Sequence, residues 1–168
     1  MSGIVRLCIF DFDGTLISSP EPTEENKKLW ETVHERKWPH KGNGWWTKEE
    51  SLCLKTFDIK TIEHVKYDAL DRINDVNAYT VLLTGRMPKF QKMIKEILRK
   101  NGIPYFNAYY FNDSHRTLDF KLKVIEQLKN EFPSVIEFEM WEDRVEHIPS
   151  FVEWGEINYG KNFKINII

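Results

Sequence analysis

Residues 4–10, "IVRLCIF", form a short apolar run with β-branched side chains that ends abruptly on "DFDG" (11–14). A run of this length, closed by Asp-Gly, reads as a buried strand. It carries two carboxylates, Asp11 and Asp13, at its mouth. Residues two apart on an extended segment point the same way, so the pair can address one substrate. Gly14 allows the backbone to twist directly after the pair, and Thr15 can cap the turn.

The rest of the chain divides in two. After the turn-rich exit "SSPEPT" (18–23), residues 21–77 are polar and tryptophan-bearing. Helical spacing appears over 24–37, through Leu29, Trp30 and Val33. It returns over 61–75, through Ile62, Val65, Ala69 and Ile73. Between them, "PHKGNG" (39–44) is a loop, and Thr47 with Glu50 has the spacing of a capping box. From "AYTVLLTGR" (78–86) onward, strand and helix patterns alternate. Strands are expected at 79–83, 104–111, 134–141 and 163–168. Helices are expected from Pro88 to Asn101-Gly102, over 118–130 and over 145–153. This is the pattern of an α/β fold with a mostly parallel sheet flanked by helices. The chain reads as one domain, with a core of 1–20 and 78–168 and a small helical cap, 21–77, inserted after strand one. At 168 residues, 41% apolar and 14% aromatic, it can fill such a core.

In open parallel sheets ligands bind beyond the carboxyl ends of the strands. There the sequence places Asp11 and Asp13, then Thr84, Gly85 and Arg86, then Glu142, Asp143 and Arg144, with Lys121 on the helix before the last group. Three aspartates on one rim would repel unless a hard cation sat among them, and oxygen ligands of this kind suit Mg²⁺. With charge neutralised, one carboxylate can attack phosphorus while another handles protons. Thr84 can hydrogen-bond a phosphoryl oxygen, and Lys121 can offset charge in the transition state. Metal-assisted phosphoryl transfer is the chemistry this set fits.

"DFDGTL", "LLTGR", the later lysine and "WEDR" together resemble the motifs of the haloacid dehalogenase (HAD) superfamily of phosphohydrolases. The resemblance implies a Rossmann-like core. By matching position it makes Asp11 the nucleophile that forms an aspartyl-phosphate, and Asp13 the acid and base. Thr84, Gly85 and Lys121 would hold the phosphoryl group. Mg²⁺ would be bound by the Asp11 carboxylate, the Asp13 main-chain carbonyl and Asp143. The fourth motif often shows two aspartates; here the first is Glu142, which the resemblance leaves as a neighbour of the ligands. "PEPTEENKKLW", "GWW" (44–46), "TLDFK" (117–121) and "WEDRVEHIPSF" (141–151) are similar to the HAD domain of Swiss Army Knife RNA-repair proteins. The "TGR" and "EDR" elements also resemble the phosphatase half of polynucleotide kinase-phosphatases. These likenesses imply a nucleotide or an RNA or DNA end as substrate, and repair proteins as partners.

Several residues admit two readings. Arg86 and Arg144 can contact substrate or pair with the carboxylates. His147, four residues past Asp143, can face the site or be a structural histidine; His115 has less to recommend it. Lys123 competes with Lys121 for the lysine role. Trp45 and Trp46 can stack on a base or be the cap's own core. Two other classes compete with a nucleic-acid-end phosphatase: a small-metabolite phosphatase, and a regulatory module that holds Mg²⁺ without turnover. The net charge of −2 gives no global basic field. Cys8 and Cys53 read as free thiols of a reducing compartment, which with no membrane-length apolar run leads to an intracellular, cytoplasmic expectation, the nucleus also open.

Overall fold

A computed structural model describes residues 3–113 and 115–168. Five strands, β1 (Arg6–Phe10), β2 (Ala78–Thr84), β3 (Ala108–Phe111), β4 (Glu137–Glu142) and β5 (Phe163–Ile167), form one sheet in the order β3-β2-β1-β4-β5. All four pairings are parallel. The central strand pairs Phe10 with Leu82 on one side and with Trp141 on the other, so Asp11 emerges between the ends of β2 and β4.

Side-chain alternation on the strands sends residues to two cores. Leu7, Ile9, Val81 and Leu83 pack with Phe120, Val124, Ile125 and Leu128 of α4 (Thr117–Glu131) and with Phe151 of α5 (Ile148–Tyr159). Cys8, Phe10 and Leu82 pack on the opposite face. They meet Val65 and Ala69 of α2 (Glu63–Asn74), and Ile94, Ile97 and Leu98 of α3 (Gln91–Lys100). Helices on both faces explain why the strands read as continuous apolar runs. Trp141 stacks on Phe10 at 4.0 Å, and its Nε1 donates to Asp68 at 2.9 Å, fastening α2 to the sheet.

Residues 24–57 build a smaller aromatic unit. In α1 (Glu24–His34) Thr23 is the N-cap, its hydroxyl accepting from the Asn26 amide at 3.1 Å, and Trp30 is buried. Trp30 meets Trp38 edge-on, Trp38 stacks on Trp45, and Trp45 meets Phe57. The large rings supply the packing that a polar segment lacks. Two 3₁₀ turns, Trp45–Thr47 and Glu49–Leu52, stand where the capping box is expected. Thr47 instead donates its hydroxyl back to the Gly44 carbonyl at 2.7 Å, so no regular helix starts there.

Other boundaries move as well: α1 ends at His34 against 37, and β4 starts at Glu137 against 134. β3 begins at Ala108, not 104: the Phe106 amide is bonded to the Tyr109 hydroxyl, and the Asn107 side chain accepts from Thr80. α5 starts at Ile148, after turn residues 145–147, and runs to Tyr159. Both cysteines are free, and burial pushes the Cys8 thiol up to about 12. Among the described residues no helix is long and apolar enough to cross a membrane.

Candidate active site

The chain leaves β1 with its geometry already set. The Asp11 amide donates to the Trp141 carbonyl at 3.1 Å, carrying the sheet pattern one residue past the strand. Gly14 then takes φ +70° and bonds Ile17. Any larger residue at 14 would be strained there and would also drive its Cβ into the Asp143 carboxylate. The glycine of "DFDG" is therefore what lets the β1 and β4 loops touch.

Three carboxylates meet at this contact. Asp11, Glu142 and Asp143 each present an oxygen within 4.8 Å of the other two. Lys121, from the first turns of α4, is 3% exposed and sits 2.9 Å from Asp11 and 2.6 Å from Glu142. Thr15 donates to Asp143 at 3.4 Å, and the Arg144 amide to Glu142 at 3.2 Å. Burial opposes the Lys121 charge, but Asp11 and Glu142 outweigh it and raise its pKa. Burial pushes Asp11 up to about 7, with Lys121 opposing and Glu142 adding to the rise. Burial, then the nearby Asp11, push Asp143 up to about 6.

Asp13 lies apart from that triad and has its own cation. Arg86 clamps it with two bonds, Nε to Oδ2 at 2.8 Å and Nη2 to Oδ1 at 2.7 Å, and Ser19 donates to Oδ1 at 2.7 Å. The remaining Arg86 nitrogen donates to the Ser51 hydroxyl at 2.7 Å and the Trp46 carbonyl at 3.1 Å. The guanidinium lies over the rings of Trp46 and Phe90.

A cavity of about 620 Å³ covers both groups; Asp11, Asp13, Gly85, Lys121, Glu142 and Asp143 are among its lining residues. Arg86 and Arg144 also line it: Arg86 is buried and fully engaged, whereas Arg144 is exposed. Thr84 does not. It is buried, and its hydroxyl oxygen accepts from the Arg86 amide at 3.1 Å. His147 is also outside the lining; its ring packs edge-on against Phe151, its Nδ1 has no partner among the described residues, and burial lowers its pKa. Lys123 and His115 are exposed on the surface, away from this lining. Of the two tryptophans, Trp45 is packed, with Nε1 bonded to the Pro20 carbonyl, while Trp46 is 40% exposed at the cavity wall.

Glu142, expected beside the metal ligands, holds Lys121 directly. Three contributors were not expected at the site. Ser19 and Ser51 complete the Asp13–Arg86 group. Thr117 packs against Gly85 so closely that a Cβ at 85 would lie 2.8 Å from its methyl. Thr117 opens "TLDFK", so a signal existed for it; a serine 35 positions from its arginine offers none.

The donor set suits a hard dication. Three acidic side chains against one lysine leave two negative charges unmatched, all on oxygen ligands.

The model of HAD domain family 1 in Swiss Army Knife RNA repair proteins matches residues 19–168. That span holds Thr84, Lys121, Glu142 and Asp143, and begins after the Asp11–Asp13 pair. The uncharacterised protein YMR265C of Saccharomyces cerevisiae is 28% identical over 175 residues, covering 88% of this chain. The chain spans 36% of that relative's length. Among solved structures, a haloacid dehalogenase-like hydrolase, SP0104 of Streptococcus pneumoniae, superposes with a TM-score of 0.55 at 13% identity, over 96% of this chain and 94% of that one. The HAD domain of the Legionella pneumophila effector Lem4 gives 0.58 at 15% identity, over 99% and 88%. At these identities the two structures speak to the fold.

Proposed function

The chain belongs to HAD domain family 1 of the Swiss Army Knife RNA-repair proteins, and on that premise we propose that it is a Mg²⁺-dependent phosphohydrolase. It would act on phosphomonoesters through an aspartyl-phosphate. The observation that carries the reading is the convergence of Asp11, Glu142 and Asp143 around the buried ammonium of Lys121.

Asp11 Oδ attacks phosphorus and the ester bond breaks, while protonated Asp13 gives its proton to the departing oxygen. Asp13, now a carboxylate, takes a proton from water, and the hydroxide so formed attacks phosphorus. Phosphate leaves and Asp11 is regenerated. Lys121 offsets charge on the phosphoryl oxygens, and Gly85, without a side chain, lets the backbone approach them. The Asp11 and Asp143 carboxylates with the Asp13 carbonyl would hold Mg²⁺, Glu142 fixing Lys121 beside them. When bound, the ion supplies neutralisation of this acidic pocket and polarisation of the phosphoryl group.

Family membership favours a nucleic-acid end or nucleotide phosphate as substrate and a repair setting, with repair proteins as partners in a reducing intracellular compartment. Hydrolysis of an aryl phosphate in Mg²⁺ and in EDTA tests the chemistry. Turnover is expected with Mg²⁺ only, and Asp11→Asn should reduce it by about 10³-fold or more. Turnover that survives Asp11→Asn overturns the covalent route. A panel of 3′-, 5′- and 2′-phosphorylated oligonucleotides beside nucleotides and sugar phosphates tests the substrate class; consistent preference for sugar phosphates would favour a metabolite phosphatase.

A further inference from the structure

A second cavity, of about 340 Å³, opens in the 24–57 unit and shares Trp46 with the catalytic one. Its chemistry is the reverse of its neighbour's. Lys27, His40 and Lys48 line it with Trp38, Trp45 and Trp46, and no carboxylate does. The catalytic cavity is lined by five acids. His40 is bonded to Glu50 at 2.8 Å, so among the described lining residues the two lysines are the cations open to an anion. Glu24 approaches Lys27 at 3.3 Å, but Glu24 is 81% exposed, and such a pair is screened enough to leave the lysine open to a second anion.

The tryptophans differ in what they are used for. Trp38 and Trp45 stack on each other at 5.4 Å and belong to the aromatic core of the unit. Trp46 is not needed there; its indole stays exposed at the boundary of the two cavities, with the Arg86 guanidinium as a neighbour. An exposed indole beside two lysines, at the exit of a phosphate-handling pocket, has the make-up of a stacking platform with a backbone clamp.

We propose that this second cavity is a subsite for the nucleotide adjoining the scissile phosphate of a single-stranded nucleic acid. Its base stacks on Trp46, and its phosphodiester is held by Lys27 and Lys48. The proposal rests on the phosphomonoesterase reading of the adjoining pocket and names which part of a larger substrate that pocket's neighbour takes. An indole face accepts any unstacked base, whereas a base inside a duplex has both faces covered by its neighbours. A phosphoserine side chain has no planar group to use it.

The test is fluorescence anisotropy on the whole chain in EDTA, with a labelled single strand carrying a terminal phosphate, 3′ and 5′ in turn. Replacing both lysines, Lys27→Ala with Lys48→Ala, should weaken binding about tenfold near physiological salt. It should also flatten the slope of log Kd against log salt by about 0.7, the share of one single-strand phosphate. Trp46→Ala should weaken binding by roughly 5- to 100-fold and leave that slope unchanged. The subsite is overturned if the unaltered chain does not bind the strand, or if the double variant keeps both affinity and slope. It is overturned equally if a blunt duplex or a phosphoserine peptide binds more tightly than the strand. Aryl phosphate turnover of the unaltered chain, measured on the same preparation, separates the two readings. Strand binding without turnover removes the phosphatase reading alone, and turnover with unchanged lysine variants removes the subsite alone.

Discussion

Two buried cations hold the two aspartates of one motif, and they do so from different parts of the molecule. Lys121 joins Asp11 to Glu142, so all three groups of its cluster stand on the sheet rim or on α4. Arg86 joins Asp13 to Ser51 and to the Trp46 carbonyl, both in the 45–52 segment outside the sheet. The carboxylate cast as nucleophile is thus fixed by the core alone. The one cast as acid and base is fixed by a residue that also holds the segment over the site. The difference teaches that the pair in "DFDG" is one motif in sequence and two machines in space.

Lys121→Met should give the largest effect. It strands two buried carboxylates, which costs about 3–5 kcal/mol of unfolding free energy in EDTA. Aryl phosphate turnover should fall by about 10³-fold. The stability loss, read by urea unfolding, should be smaller at pH 5 than at pH 8, because protonated Asp11 no longer needs its cation. Arg86→Met should cost less, about 2 kcal/mol, since Asp13 is partly exposed and can be solvated. Its turnover should drop about 10²-fold, the usual worth of a positioned acid or base. Arg86→Lys keeps the charge but not the two-pronged geometry and should recover only part of that. Amide exchange then separates the two clusters: residues 45–52 should exchange faster in Arg86→Met and unchanged in Lys121→Met. Equal loosening in both would break the comparison.

The next effect is a pH dependence of the metal-free protein. Asp11 and Asp143 bind protons more tightly folded than unfolded, their folded values being pushed up to about 7 and about 6. Their contribution to stability is therefore fully present below about pH 4, the unfolded range, and is lost as pH rises through 6 and 7. In EDTA the Tm of the unaltered chain should fall over that window relative to Asp11→Asn, whose curve lacks the Asp11 part. Added Mg²⁺ should oppose the fall, and more strongly at higher pH, because it competes with protons for the same oxygens. A Tm difference from Asp11→Asn that is flat from pH 4 to 8 would show that Asp11 titrates normally.

Which parts of this were legible in sequence follows from the range of the interactions. The sheet was legible, because burial on both faces leaves continuous apolar strands at regular intervals. Asp143 was legible because it stands at a strand end, where backbone topology alone sets position, whereas Lys121 was told from Lys123 only by the resemblance that "TLDFK" carries. Glu142 was read as a neighbour of the metal ligands, but nothing in "WEDR" says that its carboxylate turns back toward α4 to hold Lys121. Thr84 illustrates the opposite limit: its place was legible, but not that its hydroxyl would be taken up by the Arg86 amide. Pairing of Arg86 with a site carboxylate was one of two readings left open, but the rest of its cluster was not legible. Ser51 and Trp46 lie in 3₁₀ turns with no periodicity, and they reach Arg86 only through the packing of the tryptophan stack. Side-chain contacts that depend on how two units dock leave no local pattern to read.

Ser51→Ala probes that docking with the smallest change. Ser51 is fully buried; its hydroxyl accepts from Arg86 Nη1 at 2.7 Å and donates to the Lys48 carbonyl at 2.7 Å. The alanine removes both bonds and leaves the Asp13 clamp untouched, and Nη1 keeps the Trp46 carbonyl as an acceptor. The cost should therefore be about 1–2 kcal/mol, not that of a stranded charge. Turnover of a small aryl phosphate should fall by roughly two- to fivefold in kcat with KM nearly constant, because the acid is less well held while the phosphate pocket is intact. Amide exchange at 45–52 should rise, as in Arg86→Met but less. A loss of kcat as large as that of Arg86→Met would mean that the segment, and not the clamp, sets the position of Asp13. No change in kcat or exchange would mean that the Arg86 contact with the segment is idle, and that Asp13 is held by the core as independently as Asp11.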